Sequence, residues 1–244
     1  MASDDPLKNI RIVLCETSHP GNIGASARAM KNMGLAHLHL VHPERFPDPE
    51  CTWRAARAAD VLEKVQVHAS LSSALDSVAL AIACTTRPRE IAVPCVDARE
   101  SAARALEVAR SQHVAYVFGN ETYGLTGDDV NKCQLLATIP ADATYPSLNL
   151  AAAVQVFTYE LRMAAEVDAP FAADRELATH EALEAFYEHL ERVMGETGYM
   201  NREHPKKLMP RLRRLFGRAG LEREEVNILR GVFKALTTPK KRDS

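Results

Sequence analysis

The strongest constraint on the fold is an alternation of apolar runs and helical patterns that repeats through residues 1–165. Runs at 9–15, 36–41, 78–84, 113–118 and 135–139 are apolar nearly throughout, and a shorter one lies near 65–67. Strands buried on both faces need such continuous hydrophobicity, whereas a solvated face would leave a period-two pattern. Helical patterns at 23–33, in an alanine-rich stretch to about 63, and at 71–77 and 98–110 separate them, and Gly34 stops the first at the usual C′ position. Strand after helix after strand predicts an α/β layer with a mostly parallel sheet.

A further helix follows Tyr145. The sequence Tyr-Pro-Ser-Leu-Asn-Leu and the alanine-rich run behind it open on helix-starting residues and continue apolar almost all round. Ser147 and Asn149 make its first turn polar, so it is either a capped core helix or one wall of a binding site. Loops at the carboxyl ends of parallel strands are where ligands bind. The stretches at 16–22, 85–90, 119–127 and 140–146 are polar or glycine-rich, and their convergence points to a small-molecule site. Thr126 or Asp128 is placed to cap the short helix that follows.

Several chemistries are disfavoured. No G-x-x-x-x-G-K-[ST] phosphate loop occurs, the first strand–helix turn holds only Gly21 and Gly24 rather than G-x-G-x-x-G, and no G-x-S-x-G is present. Five scattered cysteines lack C-x-x-C spacing and read as small hydrophobes. His37, His39 and His42 lie close, but a strand would put only the first two on one face, and no metal is expected. No run spans a bilayer and the acidic N-terminus lacks a signal-peptide core, so a cytoplasmic location with no membrane partner is expected.

Beyond 165 the pattern changes. Residues 166–174 read as a linker, and 175–244 as a small all-α extension with helices near 175–194, 205–216 and 222–236. The net charge of −2 hides 13 Lys/Arg against 5 Asp/Glu in 201–244, a local +8. Such a block suits a polyanion, nucleic acid first, or else a solvated helical face or an acidic protein. Lys206, Lys207, Arg211, Arg213 and Arg214 are its candidate RNA contacts.

Three segments, in order, carry a resemblance. They are Asn22-Ile-Gly-Ala-Ser-Ala-Arg28, Phe118-Gly-Asn-Glu-Thr-Tyr-Gly-Leu-Thr126 and Tyr145-Pro-Ser-Leu-Asn149. Together they resemble the motifs of the SPOUT superfamily of S-adenosylmethionine (SAM) methyltransferases, in its SpoU/TrmH-like 2′-O-ribose branch. Asn9-Ile-Arg-Ile-Val-Leu, the Glu16-Thr-Ser-His19 loop, Arg211-Leu-Arg-Arg-Leu-Phe216 and Asn227-Ile-Leu-Arg-Gly231 extend the likeness over nearly the whole chain. They point to the bacterial subfamily that methylates cytidine or uridine 32 of the tRNA anticodon loop.

The resemblance implies an α/β knot, with a parallel sheet, helices on both faces and a trefoil-knotted carboxyl half of the 1–165 domain. It implies SAM as methyl donor, tRNA as partner and a homodimer through the knot region. Sister enzymes act on other tRNA positions or on ribosomal RNA, and a non-catalytic RNA-binding relative is the reading from a different class.

Arg28 is the implied catalytic residue. Its guanidinium can grip a phosphate or ribose oxygen as a planar fork, and it is a poor general base at its usual pKa. Asn22, a natural N-cap by position, would meet RNA or support Arg28. Glu121 would brace the knot and the arginine across the dimer, and Asn149 would anchor Arg28 or Glu121. The implied SAM contacts are Thr85, Thr86 and Arg87, then Gly119 and Ile139, and Pro146, Ser147 and Leu148. Gly119 lets backbone approach a ligand, Ile139 and Leu148 would flank the adenine, and Ser147 either caps its helix or faces the methionine end. One departure is Asn120, which stands where some relatives carry arginine.

Overall fold

The computed structural model describes residues 5–85, 94–165, 176–201 and 206–237. Strands β1 (Ile10–Cys15), β2 (His37–Val41), β3 (Gln66–His68), β4 (Val78–Cys84), β5 (Cys95–Asp97), β6 (His113–Phe118) and β7 (Leu135–Thr138) form one sheet in the order β3-β2-β1-β6-β4-β7-β5. Every pairing is parallel, so the loops after all these strands emerge along one edge.

The helices are α1 (Pro20–Asn32), α2 (Pro49–Ala55), α3 (Ala59–Leu62), α4 (Leu71–Ala74), α5 (Ala98–Ala109), α6 (Gly127–Asn131), α7 (Leu150–Ala165), α8 (His180–Glu196), α9 (Leu208–Ala219) and α10 (Arg223–Thr237). Side chains alternate across the sheet. Ile10, Ile12 and Leu14 of β1 join Tyr116 and Phe118 of β6 in a core closed by α1, α5 and α7. Val13 and Cys15, with Ala115 and Val117, face the other way onto α4 and α6. This double covering explains why the central strands read as unbroken apolar runs.

The extension has its own core. Phe186 of α8 meets Phe216 edge-on at 4.9 Å and lies over Phe233 at 5.7 Å. It is fastened to the sheet domain by the Gln112 amide, which donates to the Leu177 carbonyl (2.7 Å) and accepts from the Leu177 N–H (2.9 Å). The first of its helices starts at His180, later than the expected 175, because Thr179 caps it and Leu177 bridges to Glu222.

Other boundaries also differ from expectation. The edge strand β5 is too short to show in the pattern. The alanine-rich helix breaks at Ala56, whose φ of 50° lies in the left-handed region. His39 is paired, not with His37, but with His68 of the neighbouring strand, Nδ1 to Nε2 at 2.8 Å with the rings stacked. Burial, reinforced by Arg11, pulls the His39 pKa down to about 3, so the pair is neutral. The 86–93 connection, which holds the expected contacts Thr86 and Arg87, lies outside the described residues.

Helix α1 is locked to α2 by close backbone approach. A Cβ on Gly24 would stand 2.0 Å from the Cys51 carbonyl oxygen, a backbone atom with no freedom to yield. Gly24→Ala should therefore lower stability by about 1–3 kcal/mol. Gly231→Ala, in α10 with nothing within 4 Å of the added methyl, should be neutral or stabilising by up to about 1 kcal/mol. Urea unfolding of both variants checks the contrast, and equal effects would contradict it.

Candidate active site

A cavity of about 410 Å³ opens where β4, β6 and β7 end. Its walls come from Cys84 and Thr85 after β4, the 118–124 loop after β6, Ala137 and Ile139 of β7 and the loop behind it, and the start of α7. These are three of the four loops singled out by composition. Apolar surface from Ile139, Leu148, Ala153 and Phe157 faces hydroxyls of Thr85 and Ser147. Glu121 is the charged side chain among the described lining residues.

The fourth loop, after β1, stands behind the cavity and is tied to it through Glu121. One carboxylate oxygen of Glu121 accepts from the Ser18 N–H (3.0 Å) and hydroxyl (2.9 Å). The other accepts from the Asn22 amide (2.8 Å) and, at 3.4 Å, from the His19 N–H. The Asn22 amide oxygen in turn accepts from the Asn149 amide (3.0 Å), and the Asn149 oxygen accepts from the N–H groups of Ala151 (3.0 Å) and Ala152 (3.4 Å) at the start of α7. A single relay therefore joins the β1–α1 loop, the loop after β6 and helix α7.

That relay corrects three expectations. Asn22 is not the N-cap of α1, because the helix already starts at Pro20. Its side chain is aimed at residues 99 and 127 positions away. Ser147 does not cap α7, which begins at Leu150 and is capped by Asn149. Within one chain Asn149 reaches neither Arg28 nor Glu121 but Asn22, which stands between Asn149 and Glu121.

Burial would raise the Glu121 pKa, but hydrogen bonds from the Ser18 backbone and the Asn22 amide outweigh it and hold the carboxyl below its ordinary value. The group is an anion at neutral pH and is braced for that state.

Gly119 lines the cavity, and its missing side chain has a second cause. A Cβ there would lie 2.1 Å from the Gly124 carbonyl carbon and 2.2 Å from the Leu125 nitrogen. The loop folds back on itself, the Gly124 N–H donating to the Asn120 carbonyl at 2.8 Å, and Gly124 takes a φ of 72°. Asn120 is buried, donating to the Glu16 carbonyl (2.7 Å) and accepting from the Thr122 N–H (2.8 Å). Its side chain locks the loop rather than reaching solvent as a surface arginine would. The Tyr123 hydroxyl donates to the Glu16 carboxylate, which pushes the phenol pKa up to about 12.

The predicted cofactor residues divide. Thr85, Gly119, Ile139, Ser147 and Leu148 line the cavity, Pro146 is exposed and does not, and Thr86 and Arg87 lie outside the described residues. Arg28 is exposed on α1, with no hydrogen bond or ion pair among the described residues. Asn120 and Tyr145 lie in loops that composition placed at the site, whereas Phe157, inside α7, reaches the cavity only through helix packing.

The basic block also divides. Arg213 is not presented to solvent: it forms a two-pronged pair with Glu184 at 2.6 and 2.7 Å and lies over the Tyr187 ring at 4.3 Å. Arg214 has its Nε buried. Lys206, Lys207 and Arg211 are exposed, around a cleft that also holds Tyr199. Among the described residues no group of three or more His, Cys, Asp or Glu is placed to hold a metal ion, and no helix is long and apolar enough to cross a membrane.

Comparison with known proteins places this geometry. Residues 9–159 match the SpoU rRNA Methylase family, and residues 181–244 match the tRNA methyltransferase TrmJ, C-terminal domain. The tRNA (cytidine/uridine/adenosine-2′-O-)-methyltransferase TrmJ of Pseudomonas aeruginosa is 44% identical over 239 residues, covering 93% of each chain. The tRNA (cytidine/uridine-2′-O-)-methyltransferase TrmJ of Salmonella typhimurium is 45% identical, covering 94% of this chain and 97% of its own. The crystal structure of TrmJ from Z. mobilis ZM4 superposes with a TM-score of 0.82 at 31% identity, covering 93% of this chain and 99% of that one. With matches of this extent in both halves, the chain belongs to the SpoU methylase family, in its TrmJ branch.

Proposed function

We propose that this chain is a tRNA 2′-O-ribose methyltransferase that uses SAM and modifies cytidine or uridine 32 of the anticodon loop, in the cytoplasm and as a homodimer. Its TrmJ relatives are named as tRNA 2′-O-methyltransferases. The observation that carries the reading is the cavity lined by the second and third motif segments, to which Glu121, Asn22 and Asn149 bind the first.

The cavity suits the methyl donor. Its volume is in the range of small-molecule sites. Ile139 and Leu148 offer apolar surface for an adenine, Thr85 and Ser147 offer hydroxyls, and backbone is exposed at Gly119. Among the described lining residues the charged side chain is the Glu121 carboxylate, which suits the positive charge of a sulfonium. When bound, the sulfonium of SAM supplies an electrophilic methyl group.

The chain's own residues then have to bring a ribose hydroxyl to that methyl and hold it there. Glu121 fixes the β1–α1 loop, and through it the direction of α1. That helix presents Arg28, which holds a phosphate or ribose oxygen and stabilises the charge that develops as the hydroxyl loses its proton. The exposed Tyr159 and Met163 of α7, beside an apolar cleft against α5, support the paired subunits in the knot region. Lys206, Lys207 and Arg211, in the 175–244 tRNA-binding extension that follows the 166–174 linker, face the backbone of the substrate.

For Arg28→Ala the expected outcome is loss of methyl transfer, with calorimetric SAM affinity kept within a few-fold. The variant should also sediment, like the parent chain, at twice the 26.9 kDa chain mass. Loss of SAM affinity would move Arg28 to the cofactor side, and a monomeric parent would remove the dimer.

Glu121 gives a pH signature. Its folded pKa lies below the unfolded one, so its contribution is present above the unfolded value and lost as pH falls through the folded value. Glu121→Gln should cost about 1–2 kcal/mol at pH 7, and the gap from the parent should close in urea titrations as pH falls below the ordinary carboxylate range. A pH-independent gap would contradict the assignment. Replacing Lys206, Lys207 and Arg211 together by alanine should reduce the salt slope of tRNA binding by about 2–3, whereas Arg213→Ala should act on stability; an unchanged slope would remove the three from the interface.

A further inference from the structure

The only tryptophan of the chain is outside the cavity and in water. Trp53 lies on α2 and is 76% exposed, although an indole is a side chain that folding normally covers. Its helix is not loose: Cys51 and Ala55 are buried, and Gly24 of α1 admits the Cys51 backbone to closest approach.

The segment 49–60 runs beside α1 in the same direction. Gly21 stands next to Glu50 and Arg54, Gly24 next to Cys51 and Ala55, and the Lys31 amine donates to the Arg57 carbonyl at 2.9 Å and pairs with Asp60. Gly21, Gly24 and Arg28 fall at i, i+3 and i+7 on the α1 stripe facing this segment. Arg28 therefore leaves the helix about 6 Å beyond Gly24, level with the end of α2. Exposed guanidinium groups are spaced along this segment, with Glu50 before them and Asp60 beyond. Arg54 is 67% exposed and only 3.8 Å from Glu50, while Arg57 and Arg28 make no side-chain hydrogen bond or ion pair among the described residues.

We propose that Trp53, on the side of α2 turned away from α1, is a stacking platform for an unpaired base of the RNA substrate, with Arg54 and Arg57 against the flanking phosphates. The inference rests on the RNA methyltransferase assignment and extends it to a second part of the surface. Unpaired loop bases are held by stacking on aromatic rings with arginine on the backbone, and the exposed side of this segment offers both. A second copy of the chain is the alternative occupant, and the sedimentation of Trp53→Ala separates the two.

Because Trp53 is the sole tryptophan, its fluorescence reports on this site alone. Titrating the full chain with an anticodon stem–loop RNA should quench that emission. Trp53→Ala should raise KM for tRNA about ten-fold, with kcat and SAM affinity within about two-fold, and Trp53→Phe should restore most of the loss. Emission unchanged at saturating tRNA, or an unchanged KM in an active Trp53→Ala enzyme, would overturn the platform while leaving the methyltransferase assignment standing. Sedimentation of Trp53→Ala as a monomer beside a dimeric parent would instead assign Trp53 to the subunit contact and overturn the proposal. Should the parent chain bind the stem–loop with quenching yet methylate no tRNA, the methyltransferase assignment fails and the stacking site stays.

Discussion

The arrangement of the site depends on one carboxylate. Glu121 gathers the Ser18 backbone and hydroxyl, the His19 backbone and the Asn22 amide around its two oxygens. Hydrogen bonds to an ionised acceptor are stronger than neutral ones, and these are partly shielded from water. They pull the loop after β1 against the loop after β6, whose strands are neighbours. Asn22 then passes the constraint to Asn149, which uses its remaining oxygen to start α7. Every amide in the chain spends both ends, so each member fixes the rotamer of the next.

This explains why the three segments were informative only as a set. Asn22, Glu121 and Asn149 are ordinary residue types in ordinary loops, and each has a local use that is simpler than the one it serves. The local rule for Asn22 is capping, and it fails because the helix already starts at Pro20 and the side-chain oxygen that a cap would use accepts from Asn149, 127 residues away. Gly119 was read as making room for a ligand, yet the closest demand on it comes from the returning backbone at Gly124 and Leu125. Period and apolarity are properties of neighbouring residues, so the inner strands and most helices could be read from them. Loop-to-loop bonds are not. Edge strand β5 escaped for a related reason: three residues paired on one side leave almost no pattern.

The extension shows how far charge counting reaches. Its excess of arginine and lysine suggested a polyanion surface, but composition cannot distinguish a cation facing solvent from one used in packing. Arg213 lies on the face of α9 that meets α8, where Glu184 and Tyr187 take both its charge and its flat surface. A guanidinium held in that way stabilises the helix pair and leaves little for a phosphate. Lys206, Lys207 and Arg211, at or before the start of the same helix, are exposed instead. Only position relative to the Phe186 core separates the two groups.

Arg28 is the counterpart of Glu121. The chain invests several hydrogen bonds in fixing the carboxylate and none, among the described residues, in fixing the guanidinium. An arginine bound to its own protein would have to be released before it could grip a substrate oxygen, and that release would weaken binding. Leaving Arg28 in water avoids this exchange but surrenders control over the side chain. Control is restored one level down, in the helix: Gly24 lets α2 close against α1, and the Asn22–Glu121 bond holds its amino end. The flexible group is thus mounted on a rigid base, and in the proposed function the substrate supplies the last constraint. In the proposed function a residue so mounted needs neighbours that orient the RNA before the arginine engages, and the exposed Trp53 and Arg57 of the segment packed on α1 are the candidates for that part.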